Sequence, residues 1–207
     1  MTRNTFKVVG FDCDGVMFNS SRANRAYYDH LMERFALPAL TDRQFAYAHM
    51  HTVDEALNFI VGDPRLLEQV QAYRRQISYR PFIRHMVVEP HLHRLLNSLR
   101  PAYKTAIATN RTNTMSHVLE EHGLTELFDK VVTASDVTYA KPHPEQLLLL
   151  LAHFAIDPRE MVFIGDSELD AAAAHQAGVP FVAFGNPGLH AMAHIEHLGQ
   201  IPRLLAP

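Results

Sequence analysis

Five short runs, Lys7–Phe11, Tyr103–Ala108, Val131–Ala134, Met161–Ile164 and Pro180–Phe184, are apolar on both faces. Such runs suit strands buried in the middle of a parallel sheet, not strands with one wet side. Helical patterns over Thr112–His122, Pro144–Phe154 and Glu168–Ala177 lie between most of them, and Gly123 and Gly178 follow two of these as stop signals. Strand–helix alternation of this kind forces a parallel sheet covered by helices on both faces, an α/β fold of three layers. With 207 residues, 47% of them hydrophobic, the chain can bury such a core without covalent staples. Its one cysteine, Cys13, excludes an intramolecular disulfide and fits a reducing compartment.

The rhythm breaks once. About ninety residues separate the first run from the second, where a crossover needs only about a dozen or two. The gap reads as helices, Ser21–Phe35, Asp42–His49, Val53–Val61 and Pro64–Ile77. The economical reading is a helical insertion at residues 18–86, mounted on a core formed by residues 1–17 and 87–207.

Chemistry is expected at the strand ends. The segment Phe11-Asp12-Cys13-Asp14-Gly15-Val16 closes a buried strand with two carboxylates two positions apart. That placement is costly unless the pair is used, either to bind a hard cation or to attack and move protons. The bland alternative is an Asp-Gly surface turn. A second strand ends in Ala108-Thr109-Asn110-Arg111, where a hydroxyl and backbone N–H groups can cradle a phosphate, although Thr-Asn is also a common helix cap. In Ala140-Lys141-Pro142-His143-Pro144, prolines restrain a lysine that could meet an anion or simply face solvent. Finally, Phe163-Ile164-Gly165-Asp166 ends in a carboxylate, with Asp170 one helical turn later, a pattern that would also serve to cap a helix. In open α/β sheets ligands bind beyond the carboxyl ends of the strands, so all four elements converge on one crevice.

On these residues the chain resembles the haloacid dehalogenase superfamily, whose four motifs match Asp12-x-Asp14-Gly15-Val16, Thr109, Lys141 and Gly165-Asp166-x-x-x-Asp170. The resemblance implies a Rossmann-like sheet of order 5-4-1-2-3 with an inserted helical cap of the type shared by phosphoglycolate phosphatases and β-phosphoglucomutases. It implies that Asp12 is the nucleophile and Asp14 the general acid and base. It further implies phosphate binding by Thr109, Asn110 and Lys141, and magnesium binding by Asp12, Asp14, Asp166 and Asp170. The expected reaction is Mg2+-dependent hydrolysis of a small phosphorylated metabolite through an aspartyl-phosphate. Dehalogenases of the superfamily lack the second aspartate, so Asp14 argues against halide chemistry. Mutases place a histidine twelve residues after the nucleophile, where this chain has Asn24. A phosphosugar mutase, and a non-catalytic binding protein on the same scaffold, are the rival readings.

Substrate choice is expected in the cap, with His49 and His51 in a loop between two helices, and with Arg111 beside Thr109, as candidates. Arg74, Arg75, Arg80 and Arg84 could meet an acidic substrate or form a solvated basic face. His190, His194 and His197 read as one face of an exposed C-terminal helix, since no carboxylate or thiol completes a zinc set. A net charge of −3 offers no basic field for nucleic acid or an acidic membrane. The first residues show no targeting pattern, and the longest greasy stretch, Leu147 to Ala152, is too short to span a bilayer. These features lead to the expectation of a cytoplasmic monomer or homodimer.

Overall fold

The computed structural model describes residues 6–205; the first five residues of the expected core segment and residues 206–207 lie outside it. The chain opens with strand β1 (Val8–Phe11) and a two-residue strand β2 (Phe18–Asn19). Helices α1 (Ser21–Arg34), α2 (Asp42–Met50), α3 (Val53–Ile60), α4 (Pro64–Arg74) and α5 (Arg80–Ile83) follow, then the short strand β3 (Val87–Val88) and α6 (Leu92–Leu99). The remainder alternates: β4 (Lys104–Thr109), α7 (Met115–Glu121), β5 (Lys130–Thr133), α8 (Glu145–Phe154), β6 (Met161–Gly165), α9 (Glu168–Ala177), β7 (Phe181–Phe184), β8 (Ala193–Ile195) and α10 (Ile201–Leu205).

The main sheet has the order β5-β4-β1-β6-β7-β8 and is parallel throughout. Its first five strands are the five expected ones in the expected order, and β8 adds one edge strand. β1 is central, with Val8 in register with Lys104 on one side and Met161 on the other. Successive residues of a strand face opposite sides. Val9 and Phe11 accordingly join one core with α6, α7 and α10, while Val8 joins a second core with α8 and α9. Three layers result.

Two departures from the sequence reading have plain causes. The stretch expected to be a C-terminal helix carrying His190, His194 and His197 instead contains β8. Pairing Val182 with Ala193 and Phe184 with Ile195 covers the otherwise open edge of β7, and the burial of Ile195 beside exposed His194 follows a strand's period of two. The three histidines therefore share no helical face. Helix α6 was not anticipated, although Leu92, Leu95, Leu96 and Leu99 fall at helical spacing and are all buried. Burying each contributes about 1.5–3 kcal/mol.

The helices α1 to α5 occupy the long gap. The chain enters and leaves them through β2 and β3, which pair antiparallel, Phe18 with Val88. Local signals set the helix starts: Thr41 and Thr52 form capping boxes with Gln44 and Glu55, and Asp63 caps α4 ahead of Pro64. Among the described residues no helix is long and apolar enough to cross a membrane.

Candidate active site

The strand order reverses at β1, between β4 and β6, and the crevice there lies at the ends of all three strands. A cavity of 380 Å³ opens over it. Asp12, Asp14, Thr109, Asn110, Arg111, Lys141 and Asp166 line its floor, and His49 and His51 line its wall. Asp170 lies beneath the floor, fully buried. Of the other arginines considered, Arg74 and Arg75 reach the cavity, whereas Arg80 pairs with Glu120 and Arg84 bonds His85.

The lysine is the hub. Lys141 Nζ donates to Asp12 Oδ1 at 2.7 Å, to Asp170 Oδ1 at 2.5 Å and to the carbonyl of Ala108 at 3.0 Å. Burial alone would lower its affinity for a proton, but the two carboxylates raise it above an ordinary lysine, so it stays charged. The loop that carries it is stapled to the end of β4. Asn110 accepts from Lys141 N and donates to Lys141 O, both at 3.0 Å, and buried Gln146 donates to the carbonyl of Thr109 at 2.8 Å. The Asn110 side chain thus holds the lysine's backbone at both ends, and its Nδ2 also donates to the carbonyl of Met50 at 3.3 Å. Neither staple was evident from the sequence, because both join segments that come together only when the sheet forms.

Asp170 owes its position to a helix cap. Ser167 Oγ accepts from Asp170 N, while Asp170 Oδ2 accepts from Ser167 N at 3.1 Å and from its hydroxyl at 2.5 Å. That capping box turns the other Asp170 oxygen toward Lys141. Backbone shape matters equally. Gly15 has φ +84°, and a Cβ there would lie 2.0 Å from Asp166 Oδ2; a Cβ on Gly165 would lie 2.4 Å from that of Asp170. Both carboxylates press against bare backbone.

Asp12, Asp166 and Asp170 each offer an oxygen within 4.8 Å of the others. Burial and the neighbouring carboxylates push Asp12 well above the usual range, and Lys141 offsets this only in part. Asp166 is pushed up to about 7 by burial and then by the charge of Asp170. The pocket is short of positive charge, and its donors are all hard oxygens, a set suited to a small divalent cation.

Asp14 has a different environment. Arg111 Nε and Nη2 donate to its two oxygens, each at 2.7 Å, and Ser20 Oγ adds a third hydrogen bond. Burial would raise this carboxyl, yet the charge and hydrogen bonds of Arg111 hold it below its usual value. Arg111 therefore serves Asp14 in this arrangement and does not project freely toward a substrate. On the cap side, His49 lies in the last turn of α2, not in a loop, and bonds Asn24; His51, the residue after the helix, stacks on Tyr47 with ring centres 3.7 Å apart and bonds its carbonyl.

A buried lysine bridging two carboxylates, a second carboxylate pair member under an arginine, and an acidic pocket at the switch point together define a hydrolase of the Rossmann-like α/β class. The chain belongs to the haloacid dehalogenase-like hydrolases, whose family model matches residues 9–184. It is 28% identical over 198 residues to a phosphoglycolate phosphatase of Pasteurella multocida, covering 86% of this chain and 84% of that one. It is 27% identical over 185 residues to the pyrophosphatase PpaX of Bacillus pumilus, covering 86% and 82%. A solved hydrolase of the superfamily's subfamily IA from Geobacter sulfurreducens shares 39% identity and superposes with a TM-score of 0.80 over 98% of both chains. β-Phosphoglucomutase from Clostridium difficile, at 19% identity and TM-score 0.80 over 95% of this chain and 93% of that one, shares the fold.

Proposed function

We propose that the protein is a magnesium-dependent phosphatase that hydrolyses a small phosphate monoester through an aspartyl-phosphate on Asp12, with residues 18–86 as a cap over the site. The observation that carries this reading is the division of labour at Asp12. One oxygen accepts from Lys141, whereas the other has no protein partner among the described residues and belongs to a side chain that lines the cavity. That oxygen is the nucleophile. It attacks phosphorus, and the bond from phosphorus to the ester oxygen breaks.

Asp12, Asp166 and the Asp14 carbonyl would hold Mg2+, with Asp170 behind them. When bound, the ion supplies the positive charge that lets a carboxylate approach a phosphate dianion. Lys141 adds its own charge to the same end, and Thr109 offers its hydroxyl to a phosphoryl oxygen. Asn110 acts on phosphate through Lys141, by fixing the backbone that presents the ammonium. Asp14 gives a proton to the departing alkoxide and afterwards takes one from the water that cleaves the acyl phosphate. The acid step needs the grip of Arg111 to loosen, and a phosphate dianion entering beside the guanidinium competes for it.

Phosphatase is favoured over mutase because Asn24 stands where the mutases resembled by this chain carry histidine. Phosphoglycolate and pyrophosphate, named by the relatives, are the first substrates to offer. The test is release of inorganic phosphate from these and from p-nitrophenyl phosphate with Mg2+. Turnover should vanish with EDTA and in Asp12→Asn, and activity surviving that substitution would exclude the mechanism.

A further inference from the structure

A chain of hydrogen bonds runs from Asp14 to the cap, and phosphoryl transfer alone does not call for it. Arg111, gripping Asp14, brings Nη2 to 3.5 Å from Asn24 Oδ1, and Tyr79 Oη donates to the same oxygen at 2.6 Å. On its other side, Asn24 Nδ2 lies 2.9 Å from His49 Nδ1. Three segments far apart in sequence meet here: α1 supplies Asn24, α2 supplies His49, and the link from α4 to α5 supplies Tyr79.

The chemistry of the donors settles the protons. A guanidinium only donates, so the amide atom facing Arg111 is the oxygen, and the atom facing His49 is the NH2 group. An amide nitrogen also only donates, so His49 Nδ1 must accept, and the ring carries its proton on Nε2. Burial lowers the proton affinity of His49, with Asp14 opposing and Arg111 assisting, which fits a neutral ring. Nε2 has no protein partner among the described residues, and the ring lines the same cavity as Asp14. Two of the arginines at the cavity are already paired, Arg111 with Asp14 and Arg74 with Asp54 and Gln71, whereas Arg75 lines the cavity with no side-chain partner among the described residues.

We propose that Asn24 is a positioning residue that locks His49 as an Nε2–H donor toward the substrate's leaving group, so that the enzyme prefers esters whose alcohol carries an oxygen acceptor next to the ester carbon. This rests on the phosphatase reading and names its specificity. A donor fixed from behind cannot turn to find another partner, so an alcohol lacking the acceptor leaves it unpaired.

The matched probes are 2-hydroxyethyl phosphate and ethyl phosphate, which differ by one hydroxyl. Wild-type kcat/KM should favour the former by about tenfold or more. His49→Phe and Asn24→Leu should bring the ratio close to one. His49→Gln should keep most of it, because its amide can accept from Asn24 and still donate. Each ratio is internal to one preparation, so loss of folded protein cancels. Independently, the 15N spectrum of the His49 ring should show a neutral, Nε2-protonated tautomer in the wild type and a mixture in Asn24→Leu. A wild-type ratio near one, a ratio unmoved in His49→Phe, or an Nδ1-protonated ring would overturn the proposal. If the wild type hydrolyses no ester at all, the phosphatase reading fails instead, and the tautomer still decides whether Asn24 locks His49.

Discussion

Arg111 closes on Asp14 like a fork, with Nε and Nη2 each 2.7 Å from a different carboxylate oxygen. Both side chains are largely withdrawn from solvent, with 7% and 15% of their side-chain surface exposed. A buried pair of this geometry is sensitive to loss of one partner, because the other is left charged and unpaired. Arg111→Ala should cost about 3–5 kcal/mol in chemical denaturation. Adding Asp14→Asn to it should recover a large part of that loss, the signature of a coupled pair. Without the guanidinium the Asp14 carboxyl rises, which favours its acid form over its base form. By the proposed mechanism, rapid quench should then show a burst of alcohol followed by slow phosphate release, as hydrolysis of the aspartyl-phosphate becomes limiting. Arg111→Lys should restore little, since an ammonium cannot span both oxygens.

Gly15 makes a second, sharper test. Its φ of +84° and the 2.0 Å gap from a notional Cβ to Asp166 mean that Gly15→Ala must either strain the turn or displace the carboxylate. Turnover should fall by about 100-fold or more, because positioning errors of this size are severe in a preorganised site. Mg2+ affinity, followed by calorimetry, should weaken alongside it. A variant that loses turnover but keeps wild-type Mg2+ affinity would show that the turn takes up the strain and leaves Asp166 in place.

Asp166 links metal to pH. Its carboxyl is raised from 3.8 to about 7, so between those values the folded, metal-free protein holds a proton that the unfolded chain has lost. Stability of the metal-free protein should therefore fall as pH rises from about 4 to about 7, the sign opposite to that of a salt-bridged carboxylate. At the proposed metal site Mg2+ would compete with that proton. Its affinity should rise with pH until about 7, and binding at pH 6 should release protons, seen as a dependence of the calorimetric heat on buffer ionisation enthalpy. A Tm that is flat in pH without metal would contradict this account.

Asn110 supplies a prediction about support. Asn110→Asp keeps the acceptor for Lys141 N but sets a carboxylate oxygen against Lys141 O, so it should lower kcat as far as Asn110→Ala does, by about tenfold. Parallel loss in both, read against unchanged binding of Mg2+, would separate the placement of Lys141 from the metal pocket.

The strand ends were legible in the sequence because acidic or basic groups abutting fully apolar runs are costly unless employed. The same reasoning located Asp12, Asp14, Lys141 and Asp166 at one crevice, since topology dictates where parallel strands terminate. β8 was missed because three residues of mixed polarity announce an edge strand poorly, and what recruits them is the bare side of β7. Arg111 and Asp14 are separated by most of a domain in sequence, so nothing local foretold their pairing. The Asn24–His49 contact is of the same kind, a product of how α1 and α2 pack and not of either helix alone.

The central position of β1 bears on how the molecule comes into being. Val8 finds its neighbours only at Lys104 and Met161, so the strand carrying Asp12 leaves the ribosome well before either flank has been made. Until β6 is synthesised, Asp12 has no Asp166 beside it and a greasy segment stays without its permanent cover. Such distant pairing slows folding and exposes nascent chains to aggregation. The acidic cluster is consequently completed late, and a truncated polypeptide ending before Met161 would carry Asp12 without Asp166 or Asp170.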